Sequence, residues 1–299
     1  MYNLYLPKCL IIFIVLSNIG CKKMNEKAEI KFLEKEIPSD HPIEFKKNLT
    51  PNDKLIHRGI FSPDFEEYYF TISDKNFKQF DVYMIEKVGD KWSHPQASFF
   101  NTVFSEHGMS FSPDGNSIYF SSTRPTGIDS IPNTWHIWKS ENINGIWTKA
   151  IYIDIPNMRD KLISHPTISS SGKLYFHASN LDYSEMDVYH SQLIEGKFQN
   201  ATKVEIEQKP NTGICTPFIA PNEEYLIFAS IGTQLDLWIS FNDGVGNWVR
   251  TKALNQKINH LGQGNPYVTS DHQFLFYATG EYQKTNWGIN WVNIKSEID

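Results

Sequence analysis

A motif repeated five times at near-constant spacing constrains this chain more than any other feature. The copies read GIFSPDFEEYYFTIS, MSFSPDGNSIYFSST, PTISSSGKLYFHAS, PFIAPNEEYLIFAS and PYVTSDHQFLFYATG. Anchored on Ser62, Ser112, Ser169, Ala220 and Thr269, they recur at intervals of 50, 57, 51 and 49 residues. A period of this size marks an array of like supersecondary units, each too small to bury its own apolar face.

Each copy reads as strand, tight turn, strand. In Ser112-Pro113-Asp114-Gly115 the proline presets φ, the aspartate can bond nearby amides, and the glycine tolerates the exit conformation. The second strand alternates, Ile118 and Phe120 on one side, Tyr119 and Ser121 on the other. A third strand follows with an Asp-apolar-aromatic signature: Asp81-Val82-Tyr83, Asp187-Val188-Tyr189 and Asp236-Leu237-Trp238. The aspartates belong to the repeat and are expected to make structural hydrogen bonds. A Gly/Asn/Asp turn then opens a fourth strand on an aromatic, as at Trp92, Trp147, Phe198 and Trp248. Four strands in about 50 residues is the content of one propeller blade.

The ends complete the argument. The fifth unit stops after its third strand, near Trp291, while an unassigned strand, residues 43–49, precedes the first motif. Pairing the two closes the ring and removes its exposed edges. The expected fold is therefore all-β, a five-bladed propeller of four-stranded antiparallel blades over 43–299, with Phe45 placed where other blades carry Trp92 or Trp248. A monomer is expected.

Ser-Pro-Asp-Gly followed by an apolar-Tyr-Phe strand and Asp-apolar-aromatic resembles the WD40-like propeller repeat of exported bacterial proteins, the TolB-like propellers. The third and fifth copies, Ser169-Ser170-Ser171-Gly172 and Thr269-Ser270-Asp271-His272, depart from the pattern. The resemblance implies a fold, and implies little about function.

The N-terminus reads as an address. Lys8 precedes an apolar stretch, 9–16, too short to span a bilayer. Ser17-Asn18-Ile19-Gly20-Cys21 then resembles a bacterial lipoprotein signal, although Asn18 stands where leucine is usual. That resemblance implies cleavage after Gly20, lipid on Cys21, a tether over 21–42 and residence in the cell envelope, at the outer membrane, facing the periplasm or the surface. An ordinary secretory signal is the alternative, and it still implies export. With Cys9 removed and Cys21 lipidated, only Cys215 remains of three cysteines, expected as a small buried residue.

A formal charge of −6 with no basic stripe argues against nucleic acid as partner. The scattered charges also leave no Gly-rich phosphate loop, HExxH helix or GxSxG elbow, and no cofactor is expected. In a propeller the residues leading into the inner strands share one face, here called the top face, with the loops joining second to third strands. The Ser-Pro-Asp-Gly turns lie on the opposite, turn face. Candidate ligand-binding residues at the top-face channel mouth are His57, Arg58, Glu106, His107, His165, Thr216 and Asn265. Arg124, in the longest loop, is added for its planar fork of donors, and Trp135 and Tyr183 as stacking surfaces. Three histidines raise metal binding as a reading, but no carboxylate or Cys/His pair at ligand spacing accompanies them, so no metal is expected. The leading expectation is a binding or scaffold module for an envelope protein, peptide or glycan. The alternative is a glycoside hydrolase, which needs a carboxylate pair about 5 to 9.5 Å apart in the central channel.

Overall fold

The computed structural model describes residues 32, 34, 36–46, 49, 51, 53–281 and 286–299. The signal segment 1–20, Cys21 and most of the tether lie outside the described residues, as do Lys47 and Asn48. The chain divides into two compact units, Met1–Ile37 and Pro38–Asp299, and the second contains every strand found among the described residues.

Five antiparallel sheets form the second unit. Their inner strands are Lys54–Phe61, Glu106–Phe111, Leu162–Ile168, Ile214–Ile219 and Gly262–Val268. The second strands are Glu67–Asp74, Ser117–Ser122, Lys173–Ser179, Tyr225–Ile231 and Phe274–Gly280. The third are Phe80–Val88, His136–Ile143, Asp187–Ile194, Leu235–Asn242 and Gly288–Asn293. In blades one to three the fourth strand breaks into two pieces that both pair with the third. In blade one these are Lys91–Trp92 and Gln96–Ala97. Blade four keeps it as one strand, Trp248–Ala253, with a register shift.

The turns explain why Ser or Thr recurs at the anchor. Ser62 Oγ donates to Asp64 at 2.6 Å and accepts from the amide of Glu67 at 2.9 Å. Ser112 and Thr269 repeat this with Asp114 and Asp271. One hydroxyl thus closes the hairpin and orients the aspartate that holds the turn amides. Ala220 lacks that hydroxyl. There Glu223 reaches back to the preceding blade instead, accepting from Ser169 Oγ at 2.9 Å, Lys173 Nζ at 2.7 Å and Tyr175 Oη at 2.8 Å. Burial alone would raise its pKa, but Lys173, Ser171, Tyr175 and Ser169 outweigh that and hold it at about 2.

The core lies between blades. Ile118 and Phe120 pack with Ile60, Tyr69 and Val82 of blade one, whereas Tyr119 packs with Leu174 and Phe176 of blade three. Because each face of a second strand meets a different neighbour, both of its alternating sets are buried. Blades three and four, then four and five, are joined in the same way.

The ring closes through the N-terminal strand, in a register different from the expected one. Ile43 pairs with Trp291 and Glu44 with Asn290, and the Phe45 amide donates to Ile289 O at 2.7 Å. The corresponding bonds elsewhere are Ser98 N to Val82 O and Val204 N to Val188 O, so Phe45 takes the place of Ser98 and Val204. It does not take the place of Trp92. Ser39 faces Asn293 (Asn293 N to Ser39 O) as Ser93 faces Glu86 (Ser93 N to Glu86 O), so the Trp92 position falls to Pro38, one residue earlier. The closing segment therefore runs from Ser39 to Phe45, within the compact unit that begins at Pro38.

Candidate functional site

All five inner strands carry a register shift, at the same depth in blades two to five and nearer the strand start, at His57, in blade one. In four blades the bulged residue has positive φ: Gly108 (61°), His165 (54°), Thr216 (46°) and Asn265 (55°). Each lies four residues before its anchor, as does Arg58 in blade one. The histidines are consequently less alike than their spacing suggests. His57 and His107 occupy one position, shared with Ser164, Cys215 and Gly264, while His165 occupies the position of Arg58.

The histidines form a packed plug. Ring centroids of His107 and His165 are 4.4 Å apart, and those of His165 and His177 are 4.9 Å apart. Ser164 Oγ lies 3.1 Å from both His107 Nε2 and His165 Nδ1. Trp135 packs on His107 at 4.0 Å, and Phe80 contacts both His107 and His57. His57 Nε2 donates to Ser73 Oγ at 2.6 Å, because that hydroxyl donates its own proton to Asp74 O. Gly108 is required opposite: a Cβ there would stand 3.1 Å from His165 Cα.

Burial fixes the charge state of this plug. It lowers the pKa of His57 and of His177 to about 4. His107 and His165 are lowered well below the ordinary value, first by burial and then by neighbouring imidazoles and Arg58. All four are neutral at pH 7. His177 Nδ1 accepts from the amide of Thr216 at 3.2 Å, which places its proton on Nε2. Thr216 Oγ1 in turn accepts from the amide of Asn265. Among the described residues no group of three or more His, Cys, Asp or Glu is arranged to hold a metal ion.

His177 was not among the sequence candidates. It follows Phe176 in the second strand, in the column that elsewhere holds Thr71, Ser121, Ala229 and Ala278. One large polar residue in a column of small ones was a readable signal.

Glu106 and Arg124 are brought together, but with each other. Arg124 Nη2 donates to Glu106 Oε1 at 2.8 Å and to Phe100 O at 2.6 Å, and its Nε donates to Ser122 Oγ. Glu106 also accepts from Thr102 Oγ1 at 2.7 Å and Ser122 Oγ at 2.9 Å. With Glu106 fully buried and Arg124 flanked by the rings of Phe120 and Trp138, the pair holds the blade-two loop. Asp187 pairs with Lys203 and Lys209 and accepts from the amide of Val188, whereas Asp81 and Asp236 accept from Gln79 and Gln234. Cys215 is buried, and burial pushes its thiol up to about 12.

Open concave surface on the top face lies away from the axis. A cleft of about 570 Å³ over blades three and four is lined by Tyr183, Glu185, Lys203 and Thr212. A second, of about 600 Å³ over blades four and five, is lined by Gln234, Leu235, Glu281 and Trp287. Ile231 borders both. Tyr183 stands 62% exposed with φ of 65°, an aromatic held out to solvent.

No family model matches the chain, and no curated protein matches its sequence. The fold is similar to that of solved structures. TolB from Acinetobacter baumannii aligns with a TM-score of 0.51 at 12% identity, over 81% of this chain and 55% of that one. The chain thus spans about half the length of TolB. A structure titled glycoside hydrolase aligns with a TM-score of 0.53 at 10% identity, over 90% of this chain and 95% of that one. An endo-arabinase from Bacteroides thetaiotaomicron aligns at 0.50 and 14% identity, covering 87% and 98%. This is a five-bladed β-propeller, similar in fold to TolB. At such identities the likeness is one of fold alone.

Proposed function

We propose that the chain is a lipid-anchored binding module of the bacterial cell envelope, contacting a protein, peptide or glycan through its top face. One observation carries the reading. The axial positions of the top face are filled by a neutral, hydrogen-bonded histidine plug, and the concave surface left free is a pair of peripheral clefts beside Tyr183 and Trp287. Such a surface suits an extended partner laid across blades three to five, with rigid aromatics as anchors. The lipoprotein-like sequence ending in Cys21 supports an anchored position.

Glycan hydrolysis is the second reading, favoured by the shared fold of the glycoside hydrolase neighbours. It requires two carboxylates converging on the axis. The positions five and four residues before each of the five anchors carry none, and Glu106 is committed to Arg124.

The test is a binding assay with detergent-solubilised envelope and a panel of envelope glycans, paired with reducing-sugar release. Binding that falls on Tyr183→Ser and survives Val245→Ser on the turn face is the expected result, without sugar release. Cys21→Ser is expected to free the protein from the membrane fraction. Hydrolysis of any glycan, lost on substitution of a channel residue, would replace binding with catalysis.

A further inference from the structure

The turn face has its own opening on the axis, and at its inner end is a charge without a partner. The cavity, about 240 Å³, is walled by Phe61, Phe111, Phe218 and Tyr267, with Ser110 and Arg58 among its polar groups. Arg58 is 1% exposed. Its Nε donates to Met109 O at 3.0 Å, whereas Nη1 and Nη2 have no partner. Ser110 Oγ, in the same cavity, is likewise buried and unpartnered.

Among the described residues none around Arg58 neutralises it. Its neighbours on the plug side, His107 and His165, are imidazoles made neutral by burial. Toward the turn face stands Tyr267, whose hydroxyl donates to Phe61 O and whose burial keeps it protonated. Farther out, Asp271 holds Thr269 in its turn, and His272 bonds Tyr225 Oη. Burial lowers the guanidinium only to about 10, so it remains a cation at neutral pH. A buried charge with two open donors is costly until an anion meets it.

We propose that this cavity binds a small monocarboxylate with an apolar body, its two oxygens taken by Nη1 and Nη2 of Arg58 and its hydrocarbon packed on Phe111, Phe218 and Tyr267. The planar fork of a guanidinium matches a carboxylate in a two-point contact. Ser110 Oγ supplies a third donor. One cation and one hydroxyl among aromatic walls suit a monoanion better than a doubly charged phosphate. The volume, that of about eight waters, admits a short branched chain. The site lies on the face opposite the partner surface proposed above and stands independently of it.

A free organic acid and the C-terminus of a peptide share this chemistry, and thermal melting with calorimetric titration separates them. The probes are 4-methylpentanoate, 4-methylpentanamide, acetyl-Ala-Leu with a free or an amidated C-terminus, and sodium chloride. Millimolar carboxylate should raise the melting temperature, and the matching amide should not. Preference for the dipeptide acid assigns the site to peptide termini, and preference for 4-methylpentanoate assigns it to free acids. Arg58→Met should weaken binding about tenfold or more while keeping the fold by circular dichroism. Ser110→Ala should weaken it several-fold, a check that holds if Arg58→Met fails to fold. Equal binding of the amides, undiminished binding by Arg58→Met, or an equal response to chloride alone would overturn the proposal. So would no response to any carboxylate, which leaves Arg58 to channel water.

Discussion

Phe45 meets Trp291 edge to face, ring centroids 5.5 Å and planes 73° apart, joining the two ends of the propeller sequence in one contact. Phe45 also touches Phe61 and Tyr68 of blade one and Phe276 of blade five. It is therefore both the outer strand of one blade and core of the junction with the next. Phe45→Ala should cost about 3–5 kcal/mol, read as a lower denaturation midpoint. Removing 38–45 should lower the melting temperature far more than removing the residues up to Ile37. Equal melting of the two truncations would contradict closure through this segment.

The Glu106–Arg124 pair should behave as a buried unit. Glu106→Gln or Arg124→Met alone leaves one charged group without its partner and should destabilise by about 3–5 kcal/mol. Replacing both by methionine should recover much of that loss. Additive losses in a double-mutant cycle would show that the two residues act separately.

Acid should loosen the plug in a defined window. His57 and His177 titrate at about 4 in the folded chain, below the ordinary value of 6.5. Between those values the unfolded chain binds more protons, so stability is full above about pH 6.5 and declines as pH falls toward 4. Each histidine adds a slope of up to about 1.4 kcal/mol per pH unit. Denaturation midpoints measured from pH 7.5 to 4 check this, and His177→Gln should flatten the decline.

Glu223 acts at a lower pH. Its folded pKa of about 2 lies below the ordinary 4.5, so its contribution is whole above pH 4.5 and fades toward 2. Glu223→Gln should cost about 2 kcal/mol at pH 7, as charge-assisted bonds to blade three become neutral ones. The mutant and parent melting curves should converge as the pH approaches 2.

Cys215 should resist thiol reagents in the native protein and react once denaturant unfolds it, since only the thiolate attacks and burial suppresses it. Rapid native labelling would contradict its burial.

The blade count was legible because its signals are local. Turn residues at fixed offsets and period-two alternation need no knowledge of distant partners. Closure was legible for the complementary reason, since a missing strand and a spare one had to meet. Its register was not. An aromatic at Phe45 matched the aromatics at Trp92 and Trp248, but the fourth strand breaks in blades one to three and shifts register in blade four, and pattern matching carries no count across such an irregularity. The site was legible only as a list. His57, His107 and His165 do converge, yet their side chains turn inward at the bulges and seal the channel against Trp135 and Phe80. Glu106 and Arg124, read as groups offered to a ligand, satisfy one another, a pairing that depends on how one long loop folds back. Arg58 stayed hidden among the mouth residues, although it faces the opposite opening.

The segment that seals the ring is made long before its partner strand, Gly288–Asn293. During synthesis Ser39 to Phe45 must wait unpaired until Gly288–Asn293 has left the ribosome. A product cut short before Trp291 retains that waiting strand with nothing to receive it. Release of a chain that stops short of the partner strand therefore leaves a sticky open edge for proteases or chaperones to find, and only a chain that includes Gly288–Asn293 conceals it.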